Sequence, residues 1–396
     1  MLAVMLIQLR AFKILLLQVF SKFLSGKILG FCRFISSISM NRNIGFVLLT
    51  FVLSCGSPSL QEQVVSDLSP VSLEINQFDL IEFPHIPFSG VIDKWKIRES
   101  GFTILSKSTL YHYSDPDQEP MIFDSEVFLE LQGCVISDFA IAGTKLYLLC
   151  EGKGTAHRFD LVTKTFETTL DLGVDASRLA VFQDRVFLYQ PPNTLNRDTT
   201  LNFQLLTFPL DSPEKIQKYL SYPASPTDSY SFNVLTNQSL VNTENELIFS
   251  RIGNDTLIRF NRGGEWLGSE LLQALPTGEE LQAGVGLDPE QTYFPLYLSQ
   301  SEDWRWYSLV KNSTLQTLIH HLKTGKKTLV NKVILSNGVQ LPFFGQEYNG
   351  EVYLLLTEEA FIEFNSNETY PEPFLKLKNY ETPFLFLRVP LSELPA

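Results

Sequence analysis

The chain has 396 residues, with 31 Lys and Arg against 44 Asp and Glu, a formal net charge of −13, and an aromatic complement led by 31 Phe and 14 Tyr. The charge is split: residues 1–54 hold Arg10, Lys13, Lys22, Lys27, Arg33 and Arg42 and no carboxylate, so a +6 leader leaves −19 on the body. So acidic a body argues against nucleic acid and against direct adsorption to anionic lipid, and a basic apolar start on an acidic body is the pattern of a targeting segment ahead of a domain.

Residues 1–39 form an apolar, basic stretch ahead of what reads as a complete signal peptide. They are read as a mis-assigned upstream start or leader, with Met40 as the natural start. The alternative is a membrane-surface helix over Leu2–Phe20, interrupted only by Arg10 and Lys13. Residues 40–54 are the signal peptide: Met40-Asn41-Arg42-Asn43 is a short basic region, and Ile44–Leu53 is an apolar run of ten residues. That length suits a cleaved signal and falls short of the ~20 residues a membrane-spanning helix needs. The run ends at Val52-Leu53-Ser54-Cys55, followed by Gly56-Ser57-Pro58. This resembles the lipobox of bacterial lipoproteins, in the looser Leu-Ser-Cys form frequent in Bacteroidetes; Leu53 departs from the smaller residue of the commonest form. The resemblance makes Cys55 the lipid attachment site, because a thiolate is the nucleophile that a diacylglycerol donor alkylates. Two or three acyl chains, at about 0.8 kcal/mol per buried CH₂, hold a protein firmly at a bilayer. An ordinary secretory signal that happens to end near a cysteine is the alternative.

Residues 55–74, polar and small from Ser57-Pro58-Ser59 onward, read as a flexible tether. From 75 to 396 sustained helical periodicity is almost absent. Short runs of β-formers are broken by Gly, Asn, Asp and Pro, and the best helical candidates are Glu214–Leu220 and Ser269–Leu275. A unit recurs. Lys145-Leu146-Tyr147-Leu148-Leu149-Cys150 is followed by Ala156-His157-Arg158-Phe159-Asp160 and Phe166–Leu170; the scheme returns at Glu246–Ser250, Thr256–Asn261 and Glu265–Leu267, and again at Glu351–Leu356 and Ala360–Asn365. With weaker copies, the units start near 102, 145, 185, 246, 306 and 351, in steps of 43, 40, 61, 60 and 45 residues. Blades of a β-propeller repeat at ~40–50 residues. The spacing therefore predicts an all-β, six-bladed propeller, with loop insertions at about 191–200 and 274–292 and the run near 78–83 closing the ring against the last blade. A pair of β-sandwich domains is the competing all-β architecture.

Individual residues carry weaker signals. Cys134 and Cys150 lie near each other if 134–141 and 145–151 form a hairpin about Gly143, and an exported protein would oxidise such a pair; two buried free thiols is the alternative. Trp304 and Trp306 share one strand face beside Glu302 and Asp303, an arrangement that serves either blade packing or a sugar-stacking platform. His320 and His321, adjacent on a strand, point to opposite faces and cannot ligate one metal together. The acidic stretch Ser114–Glu119 lacks the glycine and terminal glutamate of an EF-hand and reads as a solvated turn. Gly284-Val285-Gly286 has too few glycines for a phosphate loop and no Lys-Ser/Thr. No nucleophile, metal or cofactor motif is recognisable, so the sequence points to no cofactor and no catalytic residue.

Together, the Cys55 signal, the acidic tether, the Leu247-Ile248-Phe249-Ser250-Arg251-Ile252-Gly253-Asn254-Asp255-Thr256-Leu257-Ile258-Arg259-Phe260 run and the Phe-Asp and Phe-Asn strand ends resemble the six-bladed β-propeller lipoproteins of Bacteroidetes. The resemblance is spread over residues 75–370 and rests on pattern. It implies the fold and a lipid-anchored place in the cell envelope, with the outer membrane expected because residue 56 is Gly rather than the Asp that retains enterobacterial lipoproteins at the inner membrane. It transfers no catalytic residues. The function read from the sequence is a membrane-anchored, non-catalytic binding module for a glycan, peptide or protein partner. A propeller hydrolase with its site at the channel mouth, glycosidase- or lactonase-like, and a scaffold of an envelope complex are the alternatives, since the fold hosts all three.

Overall fold

The computed structural model describes residues 68–87, 92–190, 201–223, 240–250, 256–271, 294–311, 314–356 and 383–395. The leader, the signal peptide, Cys55, the expected insertions at 191–200 and 274–292 and the Gly284-Val285-Gly286 run lie outside them. The body is a six-bladed β-propeller.

Two strands precede the first blade: β1 (Val71–Ile75) and β2 (Asp79–Pro87). Blade 1 is β3 (Lys94–Arg98), β4 (Gly101–Ser106), β5 (Thr109–Tyr113) and β6 (Met121–Phe123); blade 2 is β7 (Ile136–Ala142), β8 (Lys145–Cys150), β9 (Thr155–Asp160) and β10 (Thr165–Asp171). Blade 3 is β11 (Arg178–Phe182), β12 (Arg185–Tyr189), β13 (Leu201–Pro209) and β14 (Gln217–Pro223); blade 4 is β15 (Leu240–Asn242), β16 (Leu247–Phe249), β17 (Thr256–Phe260) and β18 (Trp266–Leu271). Blade 5 contains β19 (Phe294–Gln300), β20 (Trp304–Lys311), β21 (Thr314–His321) and β22 (Lys326–Leu335), with the short β23 (Gln340–Leu341) paired to β22. Blade 6 is β24 (Gly345–Tyr348), β25 (Glu351–Leu356), β26 (Pro383–Pro390) and, arriving from the start of the domain, β2. Within each blade consecutive strands run antiparallel, and β2 closes the ring against β26 with Leu80 opposite Leu387 and Phe83 opposite Phe384. Closure leaves the ring no free end at the blade where it would otherwise open.

Three expectations are corrected. Residues 71–74, read as tether, belong to β1, which pairs parallel with β22 and widens blade 5, setting Leu73 beside Val333. The helical candidate Glu214–Leu220 instead contributes to β14, paired with β13, and Ser269–Leu271 ends β18, paired with β17. A helix of two turns is marginal by itself, and the ladder offered by the preceding strand decides. The partner of β25 in blade 6 is β26 at 383–390, whereas the Ala360–Asn365 run lies outside the described residues.

The six repeat units mark the second strand of each blade: β4, β8, β12, β16, β20 and β25. These strands are covered by a neighbouring blade on both faces, so they read as continuous apolar runs; Lys145–Cys150 is buried from Leu146 onward. The outer strand β10 has no fully buried residue and alternates exposed with half-buried positions. The core is accordingly six apolar slabs, one per blade-to-blade junction. The slab between blades 6 and 1, for example, packs Phe83, Trp95, Phe102, Tyr113 and Phe386 edge to face. Each such ring removed from water contributes about 1.5–3 kcal/mol. Gly101 opens β4 where no side chain fits, because a Cβ there would stand 1.9 Å from the Tyr113 carbonyl oxygen, and its φ of +111° is one few other residues adopt.

Candidate functional site: the mouth of the central channel

The first strands of the blades, β3, β7, β11, β15, β19 and β24, are the inner ring. Polar ties link every junction of the described propeller. The Lys94 ammonium of blade 1 pairs with Asp138 of blade 2, whose other oxygen accepts the Leu179 N–H of blade 3 at 2.7 Å. Asn242 of blade 4 donates to the Val181 carbonyl at 2.7 Å, and Arg305 of blade 5 pairs with Glu270 of blade 4 at 2.5 Å. Trp306 donates its indole N–H to the Gly345 carbonyl at 2.6 Å, and Gln346 of blade 6 donates to the Trp95 carbonyl at 2.8 Å. Lys94, Asp138, Arg305 and Trp306 are buried, where a polar group needs a partner.

At the end of the channel where the inner strands finish, a cavity of about 680 Å³ opens between the hairpin turns of blades 4, 5, 6 and 1. Its wall carries short polar side chains, among them Asn242, Thr243, Ser299, Gln300 and Gln346, with few apolar ones. Four cations and five carboxylates line it. Two pairs neutralise each other: Arg259 with Glu246 at 2.6 Å, and Arg305 with Glu270. Burial lowers the Arg305 pKa, but Tyr307 and Glu270 outweigh it and hold the guanidinium above its ordinary value, so this cation is permanent. Of the charges left unpaired, Glu244 and Glu302 are exposed on the turns and Glu347 is half-buried on β24, while Lys96 is buried and Arg98 half-buried on β3.

The β3 sequence Lys94-Trp95-Lys96-Ile97-Arg98 alternates by strand geometry, placing Trp95 and Ile97 in the apolar slab and the three cations on the opposite, channel face. Lys94 is fully provided for: besides Asp138, its ammonium donates to the Phe139 carbonyl at 2.8 Å and lies 5.0 Å from the centre of the Phe139 ring. Lys96 is 6% exposed and has no hydrogen-bond or ion-pair partner among the described residues. Desolvation, and then the positive charges of Lys94 and Arg98, hold its pKa well below the ordinary lysine value. Burial likewise lowers Arg98. Such an arrangement can receive a hydroxyl-bearing ligand along the wall and a negative charge at the floor.

The residues singled out in the sequence lie elsewhere. Trp304 and Trp306 do share a face, but that face is the slab between blades 5 and 6; they are 4% and 1% exposed, so neither offers a stacking platform to a ligand. Trp304 packs on His321 and Trp306 on Phe343. Cys134 and Cys150 are joined by a disulfide across the start of the β7–β8 hairpin. His157 completes the one group of three metal-capable side chains among the described residues, but its sulfur members are those bonded cysteines. Burial pushes His112 and His320 down to about 4, which keeps both imidazoles neutral at pH 7, on strands of different blades. The Ser114–Glu119 stretch is a turn between β5 and β6, capped by Asp115 accepting the Asp117 N–H at 3.1 Å. Sequence reasoning missed Lys94–Arg98. Its signal, cations at every second position of an apolar strand, is indistinguishable from a solvated strand face until the ring places that face in the channel.

No family model matches the chain, and no curated protein matches it. Among solved structures, a protein described as exported from Bacteroides fragilis NCTC 9343 aligns with a TM-score of 0.55 at 11% identity, over 81% of this chain and 99% of that one. BamB from Moraxella catarrhalis aligns at 0.35 and 11% identity, over 71% and 75%. The extracellular domain of a protein described as a hybrid two-component system from B. thetaiotaomicron aligns at 0.39 and 16% identity, over 70% and 32%. At 11% identity the first likeness is one of fold.

Proposed function

We infer that this chain is an exported, lipid-anchored envelope protein whose propeller is a non-catalytic binding module for a hydroxyl-rich ligand of the glycan class, taken at the channel mouth. The observation that carries the ligand reading is the composition of the 680 Å³ cavity: amide, hydroxyl and carboxylate side chains presented by the turns of four adjacent blades. Sugar hydroxyls are bound by such paired donors and acceptors, whereas a protein partner calls for a broad apolar patch. Two of the five carboxylates are engaged by arginines, which holds them as structural ties rather than as free acids or bases. The anchor rests on Val52-Leu53-Ser54-Cys55 behind an apolar run and a basic start, and the outer membrane is the expected destination.

Binding is tested by titrating the mature chain, residues 55–396, against a panel of neutral and acidic oligosaccharides by calorimetry. Saccharide binding that Ser299→Ala together with Asn349→Ala weakens supports the reading; a panel without a binder, or a binder indifferent to both substitutions, ends it. The anchor is tested by metabolic labelling with a clickable fatty acid. Wild-type protein is expected to take label and Cys55→Ala to take none, and equal labelling of the two would remove Cys55 from the account.

A further inference from the structure

Lys96 points a largely desolvated ammonium at the cavity with no hydrogen-bond or ion-pair partner among the described residues. A buried ammonium normally has a partner, because taking a charge out of water is costly. Two residues before it, Lys94 shows the usual solution in the same strand and on the same face: a buried carboxylate and a carbonyl. Lys96 is as little exposed, has no such partner among the described residues, and stands in the wall of the cavity, to which its ammonium keeps access. Arg98, next along that face, adds a second cation without a hydrogen-bond or ion-pair partner among the described residues. Above them, Glu244 and Glu302 stand on the turns around the opening, and Glu347 lies half-buried near the end of β24, accepting the Gly350 N–H at 2.9 Å. An isolated negative group reaching the floor relieves the desolvated ammonium, while a ligand with charge along its length meets the carboxylates first. The cavity therefore selects one anionic group on an otherwise neutral body and disfavours polyanions.

We propose that Lys96, with Arg98 beside it, is a specificity-determining seat for the carboxylate of an acidic sugar, with the neutral part of that ligand lying along the polar wall. This rests on the glycan reading for the ligand's body, but the seat itself does not. The depressed pKa of Lys96 fits this role: an anion raises it and restores the charge that binding uses.

The test uses the mature chain and its Lys96→Met variant, which keeps the length of the side chain and removes the charge. The first probes are D-glucuronate and D-glucose, each as the terminal unit of the same disaccharide, followed by calorimetry. The wild type is expected to prefer the glucuronate form by about tenfold or more, as a charge-assisted hydrogen bond provides, and Lys96→Met to show less than about a twofold preference. The second probe is sodium acetate against sodium chloride at matched ionic strength, read as the thermal midpoint; acetate is expected to raise the wild type and leave Lys96→Met unmoved. A third readout needs no ligand: Lys96→Met alone is expected to unfold at a higher temperature than the wild type, because a largely desolvated charge without a protein partner has been replaced by an apolar chain. If both disaccharides bind equally to both proteins, the glycan reading stands and the seat is wrong. If neither disaccharide binds but acetate still distinguishes the two proteins, the seat stands and the glycan reading fails. If acetate fails to distinguish them, or Lys96→Met lowers the midpoint, Lys96 is a structural residue and the proposal is overturned.

Discussion

Asp138→Ala is expected to be among the most damaging single substitutions in the ring, because one fully buried carboxylate ties three blades together. It sits in blade 2, takes the Lys94 ammonium from blade 1 and accepts the Leu179 N–H from blade 3 at 2.7 Å. Truncation orphans both donors. Breaking a buried pair from one side costs about 3–5 kcal/mol, and a buried N–H without a partner adds about 1–3 kcal/mol. Two features hold the first figure toward its lower end. The Phe139 carbonyl remains 2.8 Å from Lys94, and burial already depresses the Lys94 pKa, so the lysine can escape by losing its proton. A loss of about 4 kcal/mol at pH 7 follows.

The pH dependence has a definite sign. In the variant Lys94 loses the carboxylate that raises its pKa, so the folded form gives up the proton while the unfolded chain keeps it to ~10.4. The unfolded state then binds more protons, and stability climbs with pH by up to about 1.4 kcal/mol per unit between the depressed folded pKa and ~10.4. The deficit should therefore shrink at alkaline pH. Urea unfolding at pH 7 and pH 9.5, followed by tryptophan fluorescence and far-ultraviolet dichroism, measures it; with m near ~3 kcal/mol/M the midpoint falls by about 1 M or more at pH 7. Lys94→Met with Asp138→Leu should recover most of the loss, leaving the Leu179 N–H as the residual defect. A loss under about 1 kcal/mol at pH 7, the value of an exposed pair, or a deficit that widens with pH, refutes the reasoning.

Trp306→Ala empties the slab between blades 5 and 6 and orphans the Gly345 carbonyl, so a loss of about 3–5 kcal/mol is expected; Trp306→Phe keeps most of the packing and should cost about 1–3 kcal/mol, both read from urea midpoints. Cys150→Ser opens a loop with a sequence separation of 16 and should lower stability by about 3 kcal/mol, with the thermal midpoint of the wild type falling comparably in reductant and that of the variant unaffected.

The number and position of the blades are legible in the amino-acid sequence because the second strand of each blade is covered on both faces. Lys145–Cys150 and Glu351–Leu356 have to be continuously apolar, and such runs at blade spacing announce themselves in one dimension. Ring closure is legible for the same reason, since Leu80 and Phe83 face the last blade. Outer strands are not: β14 and β18 are only partly buried, their local pattern mimics short helices, and a neighbouring strand decides against it. The parallel pairing of β1 with β22 spans most of the chain and leaves no local trace. The local sequence by itself thus determined which segments are strands and which of them must be buried. Only the ring decided what a given polar or aromatic face meets. The same alternation that turns Trp304 and Trp306 into an apolar slab turns Lys94, Lys96 and Arg98 into the channel, because a strand's two faces are equivalent until the neighbouring blades make one of them dry and the other a cavity wall.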